Sequence, residues 1–315
     1  MQAYLLDNPG SPSGPSALRL VQLPMPTICP DDVLVRTKAL SINPVDCKTS
    51  YGKGAYGFVK DESPLVLGWD IAGEVVEVGA NVTRFKAGDA VFGMVNFPGH
   101  GRAYAEYVAA PATQLAPKPA SVSYEQAAAA TLAALTAWQV LDKANVQPGQ
   151  RVLIHAAAGG VGHYAVQLAK ERGAYVIGTA SEAKRDFVLG LGADEEVDYT
   201  QVRFENVVAP VDFVLHAIGG DHVRRSLQVV KPGGVLASLG GGFTPELLAL
   251  AQAQQVRTVG MSVTASGPDQ HALAERLADG RLRSHIAGTY PFAQLADAVR
   301  AVEVGKTQGK VVVTL

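Results

Sequence analysis

The stretch Arg151-Val-Leu-Ile-His-Ala-Ala-Ala-Gly-Gly-Val-Gly162 constrains this 315-residue chain more than any other. A short apolar run, Val152–Ile154, leads into a loop of small residues, and an apolar, helix-favouring segment, Tyr164–Lys170, follows. That order predicts strand, tight loop and helix, the opening of a dinucleotide-binding βαβ unit. The fingerprint G-x-G-x-x-G uses glycines for the turn, for backbone approach to a pyrophosphate and for close helix–strand packing. Here it reads Ala157-x-Gly159-x-x-Gly162, with Ala in the first place. The candidate phosphate contacts are Ala158, Gly159, Gly160, Val161 and Gly162, where helix N-terminal N–H groups and the helix dipole favour negative charge.

A length of 315 residues suggests two domains at about 100–200 residues each. Hydrophobic residues make up 48% and charged residues 18%, enough apolar material for buried cores and too little charge for disorder. A net charge of −2 gives no reason to expect nucleic acid or an anionic membrane as partner. The two cysteines, Cys29 and Cys47, cannot build a disulfide framework or a Cys-rich zinc lobe. The N-terminus has neither the basic region nor the long apolar core of a signal peptide. The longest apolar run, Ala127–Leu141, is interrupted by Thr131, Thr136 and Gln139 and reads as a buried helix, not a membrane span. A cytoplasmic protein is expected.

Residues 1–122 are rich in Val, Gly and Pro, with short alternating runs such as Ala72–Gly79 and Tyr104–Ala109. They read as a β-rich domain. From Ser123, a capping-box spacing (Ser123, Gln126) opens an Ala-rich helix. After Pro148-Gly149 the chain alternates strands (151–155, 174–179, 195–199, 212–217, 234–239, 257–262) with helices (163–172, 182–191, 221–230, 245–253). Six such strands predict a parallel, doubly wound sheet in an α/β protein. The last part predicts a helix over 268–279, a strand pair at 285–290 and 310–315, and a helix over 293–304 between them. The expected division is 1–122 with 263–315 for the β-rich domain and 123–262 for the nucleotide-binding domain.

The end of the second strand bears on the choice of nicotinamide cofactor. An NAD site places an Asp or Glu about 20 residues beyond the loop, on the ribose hydroxyls. Here the chain reads Thr179-Ala-Ser181-Glu-Ala-Lys184-Arg185, with no acid ending the strand. Ser181 is a helix N-cap candidate, and Lys184 and Arg185 sit early in the helix, where the dipole disfavours cations. A 2′-phosphate would offset that cost, so NADPH is the expected cofactor, with Ser181 and Lys184 as contacts. Two solvated surface charges are the alternative.

Further motifs follow one another in order: Asn43-Pro-Val-Asp46-Cys47-Lys48, Pro64–Gly79 with Gly68-Trp69-Asp70, Gly88-Asp89, Tyr104-Ala-Glu-Tyr107, Leu135-Thr136-Ala137, Ala157–Gly162, Leu191–Asp194 and Gly309-Lys310-Val311. Taken together they resemble the medium-chain dehydrogenase/reductase family over nearly the whole chain. Within it the closest likeness is to the zinc-independent quinone and alkenal (enone) oxidoreductases. The resemblance implies a GroES-like β-rich catalytic domain plus a Rossmann domain.

Zinc members of that family carry a Cys where this sequence has Asn43 and a His where it has Trp69, neither of which is a usual zinc ligand here. The resemblance therefore implies a zinc-free, NADPH-dependent reductase of quinones or α,β-unsaturated carbonyls. Candidates for stabilising or protonating the developing oxyanion are Asn43, Lys48, Tyr51 and Tyr56. Some quinone reductases have a Tyr in place of Lys48. Carried over as cofactor contacts are Thr136, Tyr199, Ala217, Ile218, Leu239 (with Gly240 and Gly241) and Lys310. Two other readings stay open at this stage: an enoyl-thioester reductase, and an NADPH-binding redox sensor without turnover. A homodimer through the strand at 257–262 is also expected.

Overall fold

A computed structural model describes residues 1–7, 14–239 and 242–315. The chain forms two compact units, Met1–Leu135 with Thr264–Leu315, and Thr136–Val263.

The first unit is built from strands β1 (Gln2–Leu6), β2 (Leu18–Gln22), β3 (Asp32–Ile42), β4 (Asp70–Val78), β5 (Ala90–Met94), β6 (Tyr107–Pro111), β7 (Leu115–Pro117) and, from the end of the chain, β14 (Ile286–Pro291) and β15 (Lys310–Thr314). β1 and β2 form an antiparallel pair; the main sheet runs β14-β15-β3-β4-β5-β7, with β6 also paired to β3. The eleven-residue β3 is the spine. Its register sets Val311 opposite Ile42 and Asp70 opposite Ser41, so that residues distant in sequence meet at its C-terminal end. The β-branched run Val311–Val313, buried throughout, fits this central place.

Helices α1 (Pro44–Ser50), α2 (Tyr56–Val59), α3 (Tyr124–Ala129), α9 (Gly267–Ala278) and α10 (Leu295–Glu303) complete the unit. Asn43 is the N-cap of α1, Pro44 takes the first helical turn, where its missing N–H costs nothing, and Asp46 accepts the Asn43 N–H at 2.7 Å. Ser123 caps α3 by accepting the N–H of Gln126 at 3.2 Å. α3 packs on β3 and β4, which is why it belongs to the first unit; the change in composition at residue 123 marks its start, and the units divide at Leu135/Thr136.

The second unit contains α4 (Leu132–Ala144, from Thr136 onward), β8 (Arg151–Ile154), α5 (Gly162–Glu171), β9 (Tyr175–Ala180), α6 (Arg185–Gly190), β10 (Glu195–Asp198), β11 (Val211–His216), α7 (His222–Leu227), β12 (Val230–Leu239), α8 (Pro245–Ala253) and β13 (Arg257–Met261). Every strand pair is parallel, in the order β10-β9-β8-β11-β12-β13. The chain reverses direction across the sheet between β8 and β11, the switch point at whose carboxyl edge α/β sheets bind ligands. The central strands β8, β9 and β11 are buried on both faces, as the apolar runs Val152–Ile154 and Phe213–Leu215 require. The helix expected over 182–191 forms as a 3-10 turn, Glu182–Lys184, followed by α6; the backbone of Lys184, at φ −112° and ψ 4°, leaves the helical region between them. Among the described residues no helix is long and apolar enough to cross a membrane.

Candidate active site

In the second unit the loop after β8 turns at Ala156, whose φ of 51° is left-handed. The Gly159 N–H closes the turn on the Ala156 carbonyl at 2.8 Å. The sharp turn thus falls one residue before Ala157, which is buried and donates its N–H to the Thr179 carbonyl at 3.0 Å. A Cβ on Gly162 would lie 2.2 Å from the Ala156 carbonyl oxygen, so only glycine lets α5 start this close to the loop. The first N–H groups of the ten-residue α5 have no intrahelical acceptor, and the positive end of its dipole lies with them. Ala158, Gly159, Gly160, Val161 and Gly162 therefore make a cradle that fits a pyrophosphate.

Other expected contacts lie along the same carboxyl edge. Ser181 precedes the 3-10 turn after β9, and Lys184 ends that turn, its pKa drawn down by partial burial. Tyr199, more than half exposed, follows β10 and donates its N–H to Ala180. Ala217 and Ile218 follow β11, and Leu239 ends β12; Gly240 and Gly241 lie outside the described residues. Thr136 is buried in α4. Arg185 is largely exposed and 3.9 Å from Glu196. Two carboxylates not expected from the motifs also lie on β10. Glu196 and Asp198 on β10 each bury one oxygen without a hydrogen-bond partner among the described residues, and burial raises the Glu196 pKa.

A polar chain runs beneath the loop. The Thr179 hydroxyl lies 3.1 Å from Nδ1 of His155 and accepts the Ala156 N–H at 3.3 Å. Nε2 of His155 lies 3.0 Å from the Ser226 hydroxyl, which donates to the His222 carbonyl at 2.8 Å. Ser226 has spent its proton, so it accepts from Nε2–H, and Nδ1 accepts from Thr179. Burial pushes the His155 pKa down to about 3 and that of neighbouring His216 down to about 4.

In the first unit a buried polar cluster forms where β3, β4 and β15 converge. Asp70, at the start of β4, accepts from Ser41 Oγ at 2.6 Å, from Asn43 Nδ2 at 2.7 Å and from the Leu132 N–H at 3.0 Å. Lys310, at the start of β15, donates to the Ile42 carbonyl at 2.9 Å and to Asn43 Oδ1, and its ammonium is 3.8 Å from Asp70. Burial lowers the Lys310 pKa, while Asp70 and Asp46 pull it back up. Asp46 is buried beside them. Desolvation, with the Asp70 charge, pushes its carboxyl up to about 7, against the Asn43 N–H and the Lys310 charge. Burial, with the neighbouring Asp46 charge, raises the Tyr104 hydroxyl well above its ordinary value. The Tyr104 ring fills the space a side chain on Gly68 would need: a Cβ there would stand 2.3 Å from it.

The structure thus joins two of the sequence candidates, Asn43 and Lys310, and reveals Asp46, Asp70, Ser41 and Tyr104 around them. Lys310, expected as a cofactor contact, is 3% exposed with its ammonium turned onto Asn43 and Ile42. Among the described residues the other candidates make no hydrogen bond to the cluster. Lys48 shares the exposed face of α1 with Pro44, one turn away. The Tyr51 hydroxyl donates to Glu303, and Tyr56 packs on the hydrophobic cluster of Val59, Leu65 and Leu295. Trp69 is buried, donates its indole N–H to the Gly99 carbonyl at 2.7 Å and stacks edge-on against Phe97. Cys47 is buried, and its thiol is pushed up to about 12. Among the described residues no group of three or more His, Cys, Asp or Glu could hold a metal ion.

Comparison with known proteins agrees with this layout. The alcohol dehydrogenase GroES-like domain family matches residues 29–120, and the zinc-binding dehydrogenase family matches residues 191–313. The 2-methylene-furan-3-one reductase of Solanum lycopersicum is 35% identical over 92% of this chain and 73% of its own. The chain belongs to the medium-chain dehydrogenase/reductase family. Within this family it falls in the quinone and enone oxidoreductase branch. The NADPH-dependent alkenal/one oxidoreductase of Arabidopsis thaliana is likewise 35% identical, over 92% of this chain and 73% of its own. The quinone oxidoreductase of Coxiella burnetii superposes with a TM-score of 0.94 at 35% identity, covering 100% of this chain and 99% of that one.

Proposed function

We propose that this protein is an NADPH-dependent, zinc-independent oxidoreductase that reduces quinones or α,β-unsaturated carbonyls. Reductase, alkenal/one oxidoreductase and quinone oxidoreductase are the printed activities of its relatives. The observation that carries the metal-free reading is Asn43, whose carboxamide is held by Asp70 and Lys310. Amide nitrogen is a hydrogen-bond donor and a poor zinc ligand.

A bound dihydronicotinamide supplies a hydride. The Ala158–Gly162 loop, with Ser181, Lys184, Tyr199, Ala217, Ile218 and Leu239 along the carboxyl edge, holds its nucleotide part. Asn43 donates a hydrogen bond to the oxygen that gains negative charge as the substrate is reduced. The proton that completes the reduction comes from water. Lys184, with Ser181, supports a 2′-phosphate. The unpartnered buried oxygens of Glu196 and Asp198 on β10 are the observation behind a second reading, NADH. The two differ in one experiment: Lys184→Ala should raise the Kd for NADPH about tenfold and leave NADH within twofold. Equal changes would reject Lys184 as a phosphate contact.

Metal analysis of the purified protein should find no stoichiometric zinc. β13 is the last strand of its sheet among the described residues, and pairing of this edge with a second copy would give a homodimer.

A further inference from the structure

We propose that Lys310 and Asp70 are positioning residues that set the orientation of the Asn43 carboxamide, so that one Nδ2 hydrogen is presented as a fixed donor to the substrate oxygen. This rests on the reading of Asn43 as that donor. It replaces the cofactor contact expected for Lys310.

A carboxamide can sit either way round in most sites, because its oxygen and nitrogen have nearly the same shape. This one cannot. An ammonium only donates, so the group facing Lys310 Nζ is Oδ1. An ionised carboxylate only accepts, so the group 2.7 Å from Asp70 Oδ2 is Nδ2. The two partners, 3.8 Å from each other, close on one edge of the amide, Lys310 at Oδ1 and Asp70 at Nδ2, and so fix which way round it sits. Nδ2 carries two hydrogens; Asp70 takes one, and the other has no acceptor among the described residues.

The partners are themselves held. Asp70 accepts from Ser41 and from the Leu132 N–H, and Lys310 donates to the Ile42 carbonyl. The β3–β15 and β3–β4 registers bring each to the right place. For stability alone, such an ion pair is replaceable by apolar side chains of similar volume, since desolvation offsets most of its attraction. Orientation of a neighbouring amide is a task apolar side chains cannot perform.

The test compares Lys310→Met, the charge-neutral double variant Asp70→Asn/Lys310→Met, and Asn43→Ala, with NADPH and a quinone or enone. Lys310→Met should lower kcat at least about tenfold, the scale of losing one oriented donor, with KM and the Kd for NADPH within about twofold. The double variant removes both charges of the ion pair, so it should regain most of the Tm lost in Lys310→Met while kcat stays low. Recovery of kcat together with Tm would overturn the proposal, because it would show a purely structural ion pair. A raised NADPH Kd with unchanged kcat would overturn it in favour of a cofactor contact. Full activity in Asn43→Ala would instead sink the reading of Asn43. The positioning claim is then decided in [15N]asparagine-labelled protein. The Asn43 amide protons should exchange slowly in the wild type and fast in Lys310→Met; equal protection in both would refute it.

Discussion

The Thr179 hydroxyl bridges Nδ1 of His155, 3.1 Å away, and the N–H of Ala156, 3.3 Å away, at the residue where the loop after β8 turns left-handed. A core side chain on β9 thereby holds the first residue of a loop on β8. Thr179→Val keeps the shape and removes both bonds. It should cost about 1–3 kcal/mol, the penalty for stranding a buried acceptor on His155, and should weaken NADPH binding several-fold. Urea unfolding and fluorescence titration read the two effects; no change in either would mean the bridge is idle.

His155 and His216 give stability a pH dependence of known sign. Burial depresses their folded pKa values to about 3 and about 4, from 6.5. The unfolded chain binds these protons first as pH falls, so the stability they contribute is full above pH 6.5 and is lost between 6.5 and about 3. The slope is ~1.4 kcal/mol per pH unit for each histidine. Urea midpoints at pH 7 and pH 5 should differ accordingly, and His155→Gln should flatten the difference. An unchanged slope in that variant would show that His155 titrates normally.

Asp46 works in the opposite sense. Its folded pKa is raised from 3.8 to about 7, so its contribution is present below pH 3.8 and is lost as pH rises through 7. Asn at this place is always neutral and can still accept the Asn43 N–H. Asp46→Asn should therefore gain on the wild type by about 1.4 kcal/mol per unit between pH 4 and 7, measured as a growing difference in unfolding free energy. A constant difference across that range would place the Asp46 pKa near its ordinary value.

Gly162→Ala tests the cradle by sterics alone. The new Cβ would meet the Ala156 carbonyl oxygen at 2.2 Å, so the start of α5 must move. A loss of about 1–3 kcal/mol in stability, as for other overpacked sites, should accompany a marked weakening of NADPH binding. Wild-type affinity in this variant would dissociate the loop from the cofactor.

Local patterns carried the parts of the fold that depend on neighbours in sequence. The apolar run, small-residue loop and helix at 151–171 are legible because each element forms from its own residues, and the alternation of strands and helices after Pro148 gives the parallel sheet. The cluster around Asn43 was not legible. Asp46 and Asp70 sit inside motifs that the sequence displays, yet nothing local says that they are buried. Their partner Lys310 arrives from 240 residues beyond Asp70 through the β3–β15 register. The exposure of Lys48 was equally illegible: its neighbours in sequence are buried, and only the helical period turns it outward. The spacing Asn43–Asp46, a helix N-cap and its third residue, was the one available hint that the Asp carboxylate turns back on the Asn backbone.

The fate of the hydride distinguishes zinc-free conjugate reduction from alcohol chemistry. The protein would be given [4,4-2H2]NADPH and an enone, with its metal content measured beforehand, and the product analysed by mass spectrometry and NMR. Turnover without bound zinc is expected, with a saturated ketone carrying one deuterium at the former β-carbon. Deuterium on the carbinol carbon of an allylic alcohol, or turnover that depends on zinc, would contradict it.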